Sequence, residues 1–143
     1  MKYFRTTTIV IISAPFFFSS CKEKKDSPKI QTVECYASYN MGDTVVLKMQ
    51  HAGDIVTGTL QYKIREKDAN SGTIKGTTQG DLLLADYTFT SEGLVSVRQV
   101  AFKKIGDSYV EGFGEIDTTT TNIQFKNTDL LDFNNSIKLT PCN

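Results

Sequence analysis

Two charged side chains carry the most pointed chemical signal in this sequence. Arg98 shares the alternation phase of Leu94, Val100 and Phe102, and Glu111 shares that of Tyr109 and Phe113. Both phases are apolar, so both charges are expected to point inward from adjacent strands. Either charge buried alone would be strongly unfavourable. The pair is therefore expected to form inside the fold, with Tyr87 and Tyr62 nearby. Such a pair reads in two ways, as an ion pair that sets strand register or as the polar floor of a small-ligand site.

Other chemistry is thinly represented. His51 is the single histidine and falls in an expected turn over 51–54. A nucleophilic device needs a base held in a fixed environment, which a solvated turn does not supply. No Cys/His pair has the spacing of a zinc site. The stretch 68–72 begins like a calcium loop, but its glycine comes one place early and no glutamate closes it. It reads as a hairpin turn. Asp86, Glu92 and Glu111 are the carboxylates available for glycoside hydrolysis, and nothing in the sequence brings two of them to a working distance. A non-catalytic protein with no cofactor and no metal is expected.

The elements that position Arg98 and Glu111 follow from period-two alternation, clearest where Val56, Gly58, Leu60, Tyr62 and Ile64 alternate with polar residues. Strands are expected over 33–39, 44–50, 55–66, 73–79, 82–90, 94–102, 109–116 and 137–140. Short turns between them predict an all-β fold, an antiparallel meander of about eight strands. Closing it into a small barrel would remove its exposed edges. The stretch 117–136 lacks alternation. It is expected to hold a Thr-rich loop at 118–121 and either a short helix near 129–135 or a plug of Leu130, Leu131 and Phe133 over one barrel end. Gly58, Gly76, Gly112 and Gly114 would either leave room for a ligand or allow the strands to coil.

The first twenty residues read as a targeting segment. Lys2 and Arg5 form a basic start, and 9–12 and 16–18 form an apolar run too short and interrupted to span a membrane. Ser19-Ser20-Cys21 resembles a lipobox, the cleavage and acylation signal of bacterial lipoproteins. That resemblance implies that residues 1–20 are removed, that Cys21 is lipidated and becomes the first mature residue, and that the protein is an outer-membrane lipoprotein of the cell envelope, facing the periplasm or the surface. Residues 22–29 hold no apolar residue except Pro28, and 21–32 are expected to form a flexible tether to a domain over 33–143. Loss of Lys2 and Arg5 from the 16 basic side chains leaves 14 against 16 acidic ones, a net of −2. This gives no basic footprint for nucleic acid. Cys35 and Cys142 remain, and in an exported chain they are expected to form a disulfide.

At 66–72, Gly80-Asp81, 85–89, 91–93, 96–98 and 111–114, the chain resembles a group of small Bacteroidota-type lipoproteins of unassigned activity. The resemblance implies a shared fold and envelope location, and no site residue. Asp43-Thr44-Val45 and Asp117-Thr118-Thr119 are similar to the acceptor tripeptide of Bacteroidota O-glycosylation. Two functions are compatible with a small barrel that is lipocalin-like or lysozyme-inhibitor-like in architecture. One is a binding module for a small ligand, centred on Arg98, Glu111, Tyr87 and Tyr62. The other is an interaction or inhibitor module for an envelope protein, acting through loops at 67–72 and 91–93.

Overall fold

The computed structural model describes residues 32–119, 121–134 and 136–142. The expected signal segment and Cys21 lie outside these residues. Within them the alternation of the sequence becomes a sheet. The strands are β1 (Glu34–Asn40), β2 (Asp43–Ala52), β3 (Ile55–Lys63), β4 (Asn70–Gln79), β5 (Leu82–Ser91), β6 (Leu94–Ile105), β7 (Ser108–Gly112), β8 (Ile116–Asp117), β9 (Gln124–Phe125) and β10 (Lys138–Pro141). Eight of them close into an antiparallel barrel in the order β1-β10-β7-β6-β5-β4-β3-β2, while β8 and β9 pair separately. The expected meander and its closure are both present.

Turn chemistry divides the barrel into two ends. Gly53, Gly80 and Gly106 each precede an aspartate and each have positive φ (65°, 59° and 60°). A glycine leading a two-residue turn in this way suits tight hairpins whose twist matches the strands. These three turns share one end with the first residues of β1 and with Cys142. At the far end, the β1–β2 turn is Met41-Gly42 and the β5–β6 turn is Glu92-Gly93, with positive φ at both residues of each. The β3–β4 connection there is longer and contains Glu66 at φ 61°.

The near-end half of the interior is filled. Leu47, Met49, Val56, Leu60, Leu83, Phe102 and Leu139 are fully buried and belong to one continuous cluster. Each such side chain contributes roughly 1.5–3 kcal/mol by leaving water. The glycines of β3 and β4 do not create space here. A Cβ added at Gly58 would lie 2.0 Å from the Lys48 carbonyl oxygen, and one at Gly76 would lie 2.1 Å from that of Leu84. They allow close strand approach and coiling, which decides between the two roles expected for them.

The wall is thinnest at β10. This strand pairs with β7 through Lys138 and Leu139 and with β1 through Thr140 and Pro141. A disulfide between Cys35 and Cys142 lies just beyond the β1–β10 pairing, and the Cys142 amide donates to the Cys35 carbonyl at 2.9 Å. The bridge spans 107 residues of sequence. Constraining so long a loop destabilises the unfolded chain by up to about 4.7 kcal/mol in the chain-entropy view.

The stretch 113–136 departs from expectation. Among its described residues the only helical turn is a 3-10 turn at Thr128–Leu130, shorter than the helix expected near 129–135. Leu131 and Phe133 do not plug a barrel end. Phe113 and Asp132 exchange backbone hydrogen bonds, and a Cβ on Gly112 would fall 2.5 Å from the Phe133 ring. Gly112 pairs with Ala101, whose phase is opposite to that of the interior residues Val100 and Phe102. Phe133 therefore covers the outer wall of β6 and β7, where Ala101 is fully buried.

Replacing both Cys35 and Cys142 by serine is expected to lower stability by about 2–4 kcal/mol. Urea unfolding of the oxidised protein and the double variant checks this. A loss below about 0.5 kcal/mol would mean that strand pairing alone holds the seam.

Candidate functional site

The inward phase of Arg98 and Glu111 is realised, and both sit in the far-end half of the barrel. β6 runs from the far end to the near end, and its register places Arg98 opposite Tyr87. β7 starts at the near end and reaches only to Gly112, so Glu111 is its last inward residue, opposite Phe102. On β3, Tyr62 pairs with Asn70 of β4 and with Val45 of β2. The four residues singled out from sequence, on β3, β5, β6 and β7, thus come together.

They are not joined as expected. The ion pairs among the described residues are His51–Glu34, Arg65–Glu66 and Lys126–Glu115, and Arg98–Glu111 is not one of them. The register supplies the reason. Arg98 lies four residues along β6 from Phe102, the partner of Glu111, which is roughly 13 Å of strand. Tyr62 bridges the gap from β3. Its hydroxyl donates to Glu111 Oε1 at 2.5 Å, and its ring centroid lies 5.1 Å from the Arg98 guanidinium carbon. The rings of Tyr87 and Phe89 also flank the guanidinium, at 5.6 and 5.7 Å. These distances are in the cation–π range. Tyr87 stacks on Phe89 at 4.8 Å, and Tyr62 meets Tyr87 edge-on at 5.8 Å. Arg98 is held by an aromatic bracket, not by an acid.

Hydrogen bonding in this region is incomplete. Asn70 Oδ1, Tyr87 Oη, Arg98 Nε and Glu111 Oε2 are buried without a hydrogen-bond partner. A buried polar group without a partner costs about 1–3 kcal/mol, and native structures keep few of them. Four on one inward patch is a concentrated cost. A cavity of about 200 Å³ lies alongside, lined by Arg98, Val100, Glu111, Ile116, Ile123 and Phe125, among others. It exists because β7 ends at Gly112, leaving residues 94–100 of β6 without a barrel neighbour on that side. Residues from 113–136 occupy this flank. Ile123 accepts from the Gln99 amide at 2.7 Å and donates to the Val97 carbonyl at 3.2 Å, and Gln99 Oε1 accepts from the Phe125 amide at 3.1 Å.

Burial sets the protonation preferences. Removal from water pushes the Glu111 carboxyl above its usual range, against smaller opposing effects of the Tyr62 hydrogen bond and the Arg98 charge. Glu111 is 4% exposed. Burial, together with the Glu111 carboxylate, raises Tyr62, which therefore remains a neutral donor. Burial raises Tyr87 as well.

The remaining expected groups are dispersed. His51 is the next-to-last residue of β2 instead of lying in the turn, which begins at Gly53. It lies 4.0 Å from Glu34 at the near end, away from Arg98 and Glu111. Asp86 is exposed on β5 in the outward phase, Glu92 lies in the β5–β6 turn, and Glu111 is inside. The three carboxylates are therefore apart. Among the described residues, no group of three His, Cys, Asp or Glu side chains is arranged to hold a metal ion. Of the two acceptor-like threonines, Thr44 pairs within β2 and Thr118 is exposed.

Sequence reasoning missed Phe89 and Asn70 at this site. Phe89 was accessible from its phase, two residues beyond Tyr87. Asn70 required the register of the β3–β4 hairpin, whose turn residues do not define a standard loop length.

The raised Glu111 pKa has a definite sign. The folded state holds this proton more tightly than the unfolded chain, so the stability it contributes is fully present below the ordinary glutamate range. It is lost as pH rises through the folded value. Urea unfolding across pH 4–8 is expected to show Glu111→Gln losing less stability on the alkaline side than the parent, with Tyr62, Tyr87 and Arg98 unchanged around it. Parallel profiles for the two proteins would contradict this. No family model matches the chain, and no curated protein or solved structure matches it at a significant level.

Proposed function

We propose that this chain is a lipid-anchored, non-catalytic binding module that holds a small ligand in the far-end half of its barrel. One observation carries the reading: four buried polar atoms lack partners on one inward patch, and Arg98 and Glu111 both line the adjoining cavity. A core selected for stability alone would favour apolar replacements at such positions, because buried charges are seldom net stabilising. A ligand offering complementary donors and acceptors would remove the deficit.

The anchor in this reading is the lipid on Cys21, at the outer membrane of a bacterial envelope. The polar tether over 21–32 leads to β1 at the near end, and fully extended it reaches about 40 Å. The far end and its cavity would then face away from the bilayer. The partners are the membrane, through Cys21, and the small ligand, with no role for nucleic acid.

A second reading, an interaction or inhibitor module, draws on a different feature. Met41, Glu66 and Glu92 are exposed far-end turn residues with positive φ. Such backbone is uncommon away from glycine and is tolerated where a contact surface requires it. Leu94, beside Glu92, is also exposed.

Native mass spectrometry of the full chain, extracted in detergent from its own envelope, separates these readings. A reproducible small mass is expected on the parent and is expected to be lost or strongly depleted in Arg98→Met. An empty parent protein that gains no thermal stability from envelope small-molecule extract would overturn the ligand reading and direct attention to the far-end turns.

A further inference from the structure

Resting on the small-ligand reading, we infer that the ligand is a small monocarboxylic acid with a compact apolar body, its carboxylate held by Arg98. The cavity offers both kinds of contact such a molecule needs. Arg98 lines it, the Arg98 Nε is buried without a partner, and among the described residues no carboxylate lies within 4.0 Å of this guanidinium. An arginine flanked by Tyr62, Tyr87 and Phe89, with its Nε unpartnered, keeps that part of its planar N–H edge for an external acceptor. That edge matches a carboxylate better than it matches a spherical anion.

Glu111 favours the same ligand. Its Oε1 is taken by Tyr62, and its Oε2 is unpartnered and 96% of the residue's surface is buried (4% exposed). Burial favours the protonated carboxyl. A protonated Oε2 is a donor, so the second oxygen of a bound carboxylate has a place to accept. A cationic ligand would instead need Glu111 ionised, and it would approach the fixed charge of Arg98.

The same cavity is also lined by Val100, Ile116, Ile123 and Phe125, which supply apolar contact beside the polar groups. The volume of about 200 Å³ lies below the roughly 300–1,000 Å³ of sites for drug-sized ligands, which excludes a long chain or a fused-ring system. An inorganic oxyanion would leave these apolar walls unused.

Titration of the full chain with benzoate, followed by isothermal calorimetry and by the Arg98 Nε–H resonance, tests the assignment. Benzoate is expected to bind and to shift that resonance. Arg98→Met is expected to weaken binding about tenfold or more, in line with the loss of a charged hydrogen bond. Arg98→Lys, which keeps the charge without the planar edge, guards against misfolding of the methionine variant and is expected to be weakened too. Glu111→Gln, neutral by construction, is expected to retain benzoate. Benzylamine and inorganic phosphate are expected not to compete. If benzylamine or benzyl alcohol binds in place of benzoate, the cavity is a ligand site but the carboxylate assignment is overturned. Phosphate competing as well as benzoate overturns the apolar-body requirement in the same way. If no probe of any charge binds and the envelope-extracted protein is also empty, both this assignment and the ligand reading fall.

Discussion

Closure of the barrel at one narrow seam is the constraint on which the rest of the structure depends. β10 contributes four residues to a wall whose other members run to twelve, and it pairs through two residues on either side. Without it, β1 and β7 would be open edges and the inward faces of both would meet water. The Cys35–Cys142 bridge fixes the outer side of that seam and leaves only the strand's own pairings to form. Placing the crosslink at the near end also concentrates stability there. That is the half in which Leu47, Leu60, Leu83 and Leu139 are fully buried.

The same closure creates the site. A barrel needs neighbouring strands to stagger, and here the stagger is uneven. β6 continues for seven residues past its last pairing with β7, from Ala101 back to Leu94. The uncovered flank takes a parallel contact from Ile123 and the outer packing of 113–136, neither of which fills the inward side at Arg98. On a strand whose β7 side is met there by the Ile123 contact, the long Arg98 side chain lies among aromatic rings from β3 and β5. Incomplete hydrogen bonding at Arg98, Glu111, Tyr87 and Asn70 follows from this geometry more directly than from any single residue.

Much of the barrel was legible in the sequence because its determinants are local. Alternation marked each strand, Gly-Asp and X-Gly dipeptides marked the hairpins, and the phase of Arg98 and Glu111 placed both inside. That they would not pair directly was not legible, because phase fixes the face of a residue and not its position along the neighbouring strand. Tyr62 was recognised as a neighbour, but its role as the bridge depends on the cross-barrel distance between β3 and β7. The strand expected over 109–116 stops at Gly112, and the stretch 117–136 failed for a different reason. It has no periodicity, and its position is set by long-range contacts such as Phe133 against Gly112. The glycines illustrate the ambiguity well, since Gly58 and Gly76 accommodate neighbouring backbone while Gly112 accommodates a ring.

The division of the interior has an energetic logic. Unpartnered buried groups at about 1–3 kcal/mol each would amount to a large share of the marginal stability of a small domain. Such a deficit is tolerable only where other parts of the fold hold the backbone in place. The filled near-end core and the disulfide do this without contacting Arg98. Tyr62 and Tyr87 belong to the same core cluster, so the polar groups beside them are held in place by that packing. In the proposed binding role such preorganisation would make binding efficient, because the cost of arranging the site is met when the chain folds and not when the ligand arrives. The aromatic bracket strengthens the case. Tyr62, Tyr87 and Phe89 flank the guanidinium at 5.1–5.7 Å, which restrains the arginine without using its Nε–H.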